Sequence, residues 1–240
     1  MDGLLNLGLD IELPLEVVRH INVLRLRVSD EIALFNGDGH NYRAKFIHLE
    51  KRSALVSVID KQLVDNEAHL KITLLMSLIA NDKFDLVVQK AVELGVSNLI
   101  PIFTQNTQRN FSAEKVVTKL EHWQKIIVSA TEQSHRARVM EIQNPLEFTQ
   151  ALGLVAGITP KYILSPHHAS QLADAGAAVI ELVLCVGPEG GFTEYEINNA
   201  VENGFSTIVL GNRIMRAETA ALSGISVLQA KFGDLWKKQL

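Results

Sequence analysis

Lys71-Ile72-Thr73-Leu74-Leu75-Met76-Ser77-Leu78-Ile79 leads through Ala80-Asn81-Asp82-Lys83 into Phe84-Asp85-Leu86-Val87-Val88-Gln89-Lys90-Ala91-Val92-Glu93-Leu94-Gly95. The first part is a near-continuous apolar run of strand length, as expected of a strand covered on both faces. The second part changes period: Phe84, Val87, Val88, Ala91 and Val92 recur at helical spacing and mark one buried face. Asn81 or Asp82 is expected to cap this helix, and Gly95 to end it in a C′ position. A strand handed straight to a helix is the unit of a parallel α/β sheet, and the chain beyond repeats it. Further strands are expected at Asn98 to Phe103, Tyr162 to Leu164, Leu182 to Val186 and Thr207 to Leu210. Ser112 is expected to open a long helix with Val116, Leu120, Trp123, Ile127 and Ala130 on one face. Two more helices are expected at Glu194 to Asn203 and Ala217 to Phe232.

Upstream the pattern is different. Pro14 can open a short helix through Arg25, with Val17, Val18, Ile21 and Leu24 at 3–4 spacing. Strand-like runs follow at Glu31 to Phe35, Tyr42 to Leu49 and Ser53 to Ile59, and Asn36-Gly37-Asp38-Gly39 between the first two is a hairpin signal. Asp60 to His69 is polar and reads as a linker. Two domains are therefore expected, a small, mostly β unit over 1–69 and an α/β unit over 70–240.

Composition narrows the function. With 47% hydrophobic and 21% charged residues, the 240-residue chain is neither disordered nor fibrous. Its charge-free apolar stretches, such as Ile72 to Ala80, fall far short of the ~20 residues of a membrane span. Met1-Asp2-Gly3 lacks the basic start of a secretory signal, so a cytoplasmic location is expected. Cys185 is the one cysteine, which precludes an internal disulfide, and no Cys/His cluster has zinc spacing, so no metal is expected. Net charge is −4, divided as −3 over the first 70 residues and −1 over the rest. A polyanion would have to be held by a local patch rather than by the field of the whole protein.

Two strand ends carry the unusual residues. Leu184-Cys185-Val186-Gly187-Pro188-Glu189-Gly190-Gly191-Phe192-Thr193-Glu194-Tyr195-Glu196 is a strand running into a glycine-rich turn, with Thr193 and Glu196 spaced as a capping box. Glycines let the backbone approach a ligand and offer bare N–H groups, and ligands of open parallel sheets sit at this end of the strands. The turn has no lysine for a P-loop, and G-x-G-x-x-G is absent from the chain, so NTPase, kinase and Rossmann dehydrogenase readings lose ground. The second strand end is Ile208-Val209-Leu210-Gly211-Asn212-Arg213-Ile214-Met215-Arg216-Ala217-Glu218-Thr219-Ala220. A third polar stretch, Glu132-Gln133-Ser134-His135-Arg136-Ala137-Arg138, reads as the end of the long helix, where cations complement the dipole. His167-His168 has no carboxylate or cysteine partner nearby and reads as a pair of loop histidines. Cys185 reads as an inert buried thiol. No nucleophile elbow appears.

Together, Gly187 to Gly191 and Leu210 to Ala220 resemble the motifs of the ribosomal RNA small subunit methyltransferase E family of the SPOUT superfamily. Gln89 to Val96, Trp123 to Ile126, Glu132-Gln133-Ser134 with Arg136 and Arg138, Val23 to Val28 and Phe35 to Gly39 extend the similarity over nearly the whole chain. The resemblance implies a PUA-like RNA-binding β-barrel followed by an α/β domain with a deep trefoil knot, an exception to the rule that chains do not thread themselves. It implies transfer of a methyl group from S-adenosylmethionine to N3 of one uridine (uridine 1498) of 16S ribosomal RNA, by a homodimer.

By motif, Leu164, Gly187, Glu189, Gly190, Leu210, Gly211, Ile214, Met215 and Thr219 would line the cofactor pocket. Arg216 is the first choice for a cation that stabilises charge on O2 and O4 once uridine N3 loses its proton. Arg136, as an RNA or base clamp like Arg138, and Glu132, as proton acceptor, complete the expected catalytic set, with Glu218 as the alternative acceptor. Arg138, Arg25, Arg27 and Arg43 are expected to touch RNA, with Arg19, Lys45, Lys51 and Arg52 as further phosphate contacts. The chain departs from the family at Asn212 and Met140, where proline is common, at Met215, where leucine is common, and at His135, where glycine is common. It also holds only part of a basic and aromatic segment that family members carry before the helix opened by Pro14. The assembled 30S subunit is the expected substrate. The rivals are a SPOUT methyltransferase acting on tRNA or a ribose hydroxyl, and a noncatalytic RNA-binding or assembly factor.

Overall fold

The computed structural model of the protein describes residues 5–64, 66–107, 113–166 and 178–236. Ser112, the expected helix opener, and the His167-His168 pair lie outside the described residues. Contacts divide the chain into two units: one runs through Glu67 and takes in His135–Val139, and the other holds Ala68–Ser134 and the chain from Met140 onward.

The N-terminal unit is an antiparallel sheet covered by one helix. Its elements are β1 (Asp10–Glu12), α1 (Leu15–Leu24), β2 (Glu31–Leu34), β3 (His40–Leu49) and β4 (Ala54–Leu63), in sheet order β1-β4-β3-β2. Alternation decides which face is buried: Tyr42, Ala44 and Phe46 of β3 point inward with Val56 and Val58 of β4, while Arg43 and Lys45 stay exposed. Val18 and Ile21 of α1 close this core. Register shifts at Arg43/Ala44 and Phe46/His48 interrupt the β3–β4 ladder, as bulges do. Strand β4 continues to Leu63, so the first residues of the expected linker belong to the sheet.

The C-terminal unit is a parallel sheet with helices on both faces. In chain order it comprises β5 (Lys71–Ser77), α2 (Asn81–Glu93), β6 (Val96–Phe103), α3 (Ala113–Gln133), β7 (Glu141–Ile142), β8 (Leu146–Glu147), α4 (Phe148–Leu154), β9 (Lys161–Leu164), β10 (Glu181–Val186), α5 (Glu194–Glu202), β11 (Phe205–Ile208) and α6 (Ala217–Phe232). The strand order is β11-β9-β10-β5-β6-β7, with β8 also on β6. One face packs Leu75, Ile163, Val183 and Cys185 against Phe148 and Leu152 of α4 and Ile197 and Ala200 of α5. On the other face α6 crosses β10 and contacts α2, which contacts α3. Trp123 of α3 meets Phe84 of α2 with ring centroids 4.6 Å apart.

Three local expectations change. The N-cap of α2 is Ala80, one residue before the expected pair, and it has no side-chain cap. Strand β11 begins at Phe205 and ends at Ile208, because Gly204 turns the chain at φ +83° and the buried Phe205 already belongs to the sheet. The long helix stops at Gln133, and His135 adopts φ +57°, so Arg136 and Arg138 lie beyond the helix rather than on its end. Strands β1, β7 and β8 and helix α4 are too short to carry a readable period.

Candidate active site

Strand β9 lies between β11 and β10, and all three run in the same direction. Leu164 closes β9 opposite Ile208, and the Ser165 N–H donates to the Ile208 carbonyl at 3.1 Å. The loop after β11 therefore starts on one side of Leu164, and the loop after β10 starts on the other. The two glycine-containing strand ends open from the strands that flank β9, at the sheet edge where parallel α/β folds bind ligands.

The Gly187 to Gly191 turn is braced by groups distant in sequence. Glu189 Oε1 accepts the Ala80 N–H at 3.2 Å. Asn106 Nδ2 donates to the Gly190 and Gly191 carbonyls, both at 3.1 Å. A Cβ at Gly190 would stand 3.1 Å from the Asn106 Cβ, so this approach depends on glycine. Buried Glu196 fixes the exit: its Oε1 accepts the Gln105 N–H at 2.8 Å, and its Oε2 accepts the Thr193 N–H at 2.8 Å and the Thr193 hydroxyl at 3.0 Å. Thr193 Oγ1 accepts the Glu196 N–H, which completes the expected capping box of α5.

At the second strand end Gly211 takes φ +79°, a conformation that suits glycine. Leu210 and Met215 are half-buried, and Ile214 is 82% exposed. Arg216 is the N-cap of α6, exposed and without a salt bridge among the described residues. Glu218 and Thr219 share the first turn, Glu218 buried and Thr219 exposed. A Cβ at Gly224 would stand 3.0 Å from Leu184 Cδ2 and 3.4 Å from Leu164 Cδ1. Helix α6, which Arg216 caps, therefore lies directly on β9 and β10.

The remaining expected residues are elsewhere. Glu132 is exposed in the last turn of α3. Arg136 and Arg138 belong to the N-terminal unit. Arg136 is only 7% exposed and donates from Nε and Nη2 to Glu67 Oε2 at 3.1 and 2.8 Å, so its charge is neutralised inside that unit. Arg138, Arg25 and Arg27 are exposed. Arg43 is exposed too, but pairs with Asp60 at 3.3 Å and Glu31 at 3.6 Å, which leaves less of its charge for a phosphate. Ala80, Gln105 and Asn106 brace the loop without having been anticipated; the polar Thr104-Gln105-Asn106-Thr107 turn after a strand is the one local signal. Among the described residues no group of His, Cys, Asp or Glu could hold a metal ion, and no helix is long and apolar enough to cross a membrane.

Residues 66–229 match the model of an RNA methyltransferase domain, and residues 14–59 match that of an RNA methyltransferase PUA domain. A ribosomal RNA small subunit methyltransferase E from Buchnera aphidicola is 32% identical over 218 residues, 89% of this chain and 87% of the relative. One from Bacillus subtilis is 30% identical over 223 residues, 89% and 87% of the two chains. A crystal structure of that enzyme from Neisseria gonorrhoeae, bound to S-adenosyl methionine, superposes with a TM-score of 0.88 at 36% identity and covers 98% of this chain and 97% of its own. From the paired glycine-containing strand ends, the PUA-type first unit and these relatives, the chain belongs to the ribosomal RNA small subunit methyltransferase E family of RNA methyltransferases.

Proposed function

We propose that this protein transfers the methyl group of S-adenosylmethionine to N3 of one uridine of 16S ribosomal RNA in the small ribosomal subunit, as a cytoplasmic homodimer whose C-terminal unit carries the superfamily's trefoil knot. The observation that carries this reading is the pair of loops flanking Leu164, one rich in backbone groups and the other ending at the exposed Arg216. The edge suits the cofactor. Ile214 and Met215 offer uncovered apolar surface for an adenine and a thioether chain, and the glycine turns offer backbone donors and acceptors for its polar edge. Leu164, Gly187, Glu189, Gly190, Leu210, Gly211, Ile214, Met215 and Thr219 would hold it. When bound, the sulfonium supplies an already activated methyl group.

The chain's own task is to make a poor nucleophile react. Uridine N3 lies on the Watson–Crick edge between two carbonyls, so the base must be unpaired and its N3 proton removed. The negative charge then falls on O2 and O4, where Arg216 stabilises it. Glu132 or Glu218 takes the proton. Glu218 shares the first turn of α6 with the Arg216 cap. Fixing the base in line with the methyl group supplies much of the acceleration.

The test is methyl transfer from labelled S-adenosylmethionine to 30S subunits from a strain lacking the protein, with the modified nucleoside identified by mass spectrometry and Arg216→Ala run in parallel. A single 3-methyluridine, lost in the variant, is expected. A ribose-methylated product, or no transfer despite cofactor binding, would overturn the N3 assignment. Light scattering is expected to give the mass of a dimer.

A further inference from the structure

Beyond α3 the chain spends five residues, His135–Val139, in the N-terminal unit. Glu67 holds them there. Its Oε2 accepts Arg136 Nη2 at 2.8 Å and Nε at 3.1 Å, and its Oε1 accepts the Arg138 N–H at 3.1 Å. Neighbouring Asn66 donates from Nδ2 to the His135 carbonyl at 2.6 Å. From the β2–β3 hairpin, the Gly39 N–H donates to the Ala137 carbonyl at 3.1 Å. The hairpin glycines leave the room: a Cβ at Gly39 would stand 3.1 Å from Arg138 Nη2, and one at Gly37 would stand 3.3 Å from Val139 Cγ2. Two arginines two residues apart thereby meet opposite fates. Arg136 is buried and neutralised, an anchor, whereas Arg138 is exposed with no salt bridge among the described residues.

We propose that Glu67 is a positioning residue for RNA binding: by clamping Arg136 it fixes the His135–Val139 segment so that the Arg138 guanidinium is presented to a backbone phosphate. The inference rests on the methyltransferase reading above and adds to it a residue that touches neither cofactor nor RNA. A charge-assisted fork has a defined geometry, so the clamp sets register as well as direction. An arginine held in one place can pair with a phosphate oxygen and release one counterion, which makes its contribution visible in the salt dependence of binding.

The experiment titrates the full-length protein with 30S subunits that lack the modification, at several salt concentrations. Arg138→Ala is expected to weaken binding several-fold and to reduce the slope of log K against log salt by about one. Glu67→Gln is expected to do the same, and Glu67→Gln/Arg138→Ala to bind no more weakly than Arg138→Ala, because both act through one contact. Amide hydrogen exchange without RNA should show faster exchange at Gly39 and Arg138 in Glu67→Gln, with cofactor affinity unchanged. Glu67→Gln leaves a buried charge short of a counter-charge and could unfold the unit. Asn66→Ala, which removes only the tether to His135, is therefore measured beside it and should shift the slope less, in the same direction. An unchanged slope in folded Glu67→Gln, additive losses in the double variant, or unchanged exchange would overturn the proposal. If wild-type protein binds no subunits, the RNA reading fails and the presentation of Arg138 falls with it, while the exchange data still show separately whether Glu67 clamps the segment.

Discussion

The Glu189 carboxylate accepts the backbone N–H of Ala80, 109 residues earlier in the chain, at 3.2 Å. Ala80 is the N-cap of α2 and has no side chain with which to cap it, so Glu189 does what the third helical residue does in a capping box. It also places negative charge at the positive end of a helix. One contact therefore serves the start of α2 and the shape of the turn beside Leu164.

Glu189→Ala is expected to cost about 1 kcal/mol of stability and to weaken S-adenosylmethionine binding, as the turn loses one of its braces. Glu189→Gln, which keeps an acceptor without the charge, should fall between. Urea unfolding and calorimetric titration check the pair together.

Glu196 receives three hydrogen bonds from Gln105 and Thr193 while almost fully buried. Glu196→Ala strands the Gln105 and Thr193 N–H groups and is expected to cost about 2–3 kcal/mol. Thermal unfolding should show a clear loss for Glu196→Ala and a smaller one for Glu196→Gln, whose amide can still accept at one atom.

His135 carries φ +57°, where L side chains pay for the clash of Cβ with the backbone. His135→Gly is expected to be neutral or stabilising by up to about 1 kcal/mol, the relief partly offset by the larger entropy of an unfolded glycine. His135→Val should be destabilising by more than that. The rank order Gly, His, Val in melting temperature is the readout.

Asp38 sits at the hairpin tip. Partial burial pushes its carboxyl up, but hydrogen bonds from the Tyr42 hydroxyl, the His40 N–H and the His40 ring, together with the ring's charge, outweigh it and hold the pKa below the usual 3.8. A carboxyl whose native pKa is lowered stabilises the fold fully above its unfolded value, and loses that stabilisation as pH falls through the native value. Asp38→Asn is therefore expected to be less stable than wild type at pH 7, and the gap should close below pH 3.8. Unfolding curves taken across this range decide it.

Cys185 is fully buried in β10; burial pushes its thiol well above the ordinary value and the nearby charge of Glu196 pushes it further. Since the thiolate is the reactive form, a thiol reagent at pH 8 should leave the folded protein unlabelled and modify it only as it unfolds. Labelling at native rates would contradict this burial.

Much of the frame was legible because the signals are local. The helical period of Phe84, Val87, Val88, Ala91 and Val92 led to α2, the Asn36 to Gly39 tetrad to the β2–β3 hairpin, and Thr193 with Glu196 to the α5 cap. Helix α6 has the expected bounds, Ala217–Phe232. Strands β1, β7 and β8, of two or three residues, and the seven-residue α4 present less than a usable period of their kind and carry no local signal. The cap of α2 was misplaced because a local rule looks for a polar residue nearby, and the group that serves this helix comes from Glu189.

The sequence by itself determined where strands and helices alternate, which strand ends carry glycine-containing turns and which family the motifs resemble, because spacing, caps and turn residues act within one or two turns of chain. Only the tertiary structure decided that Leu164 lies between the two glycine-containing strand ends, that Asn106 braces Gly190, and that Arg136 is buried against Glu67 while Arg138 is exposed. The Glu67–Arg136, Asn106–Gly190 and Ala80–Glu189 contacts join residues 69 to 109 positions apart. Strand order and the division into units bring them together, and no periodicity encodes a hydrogen-bond partner at that distance.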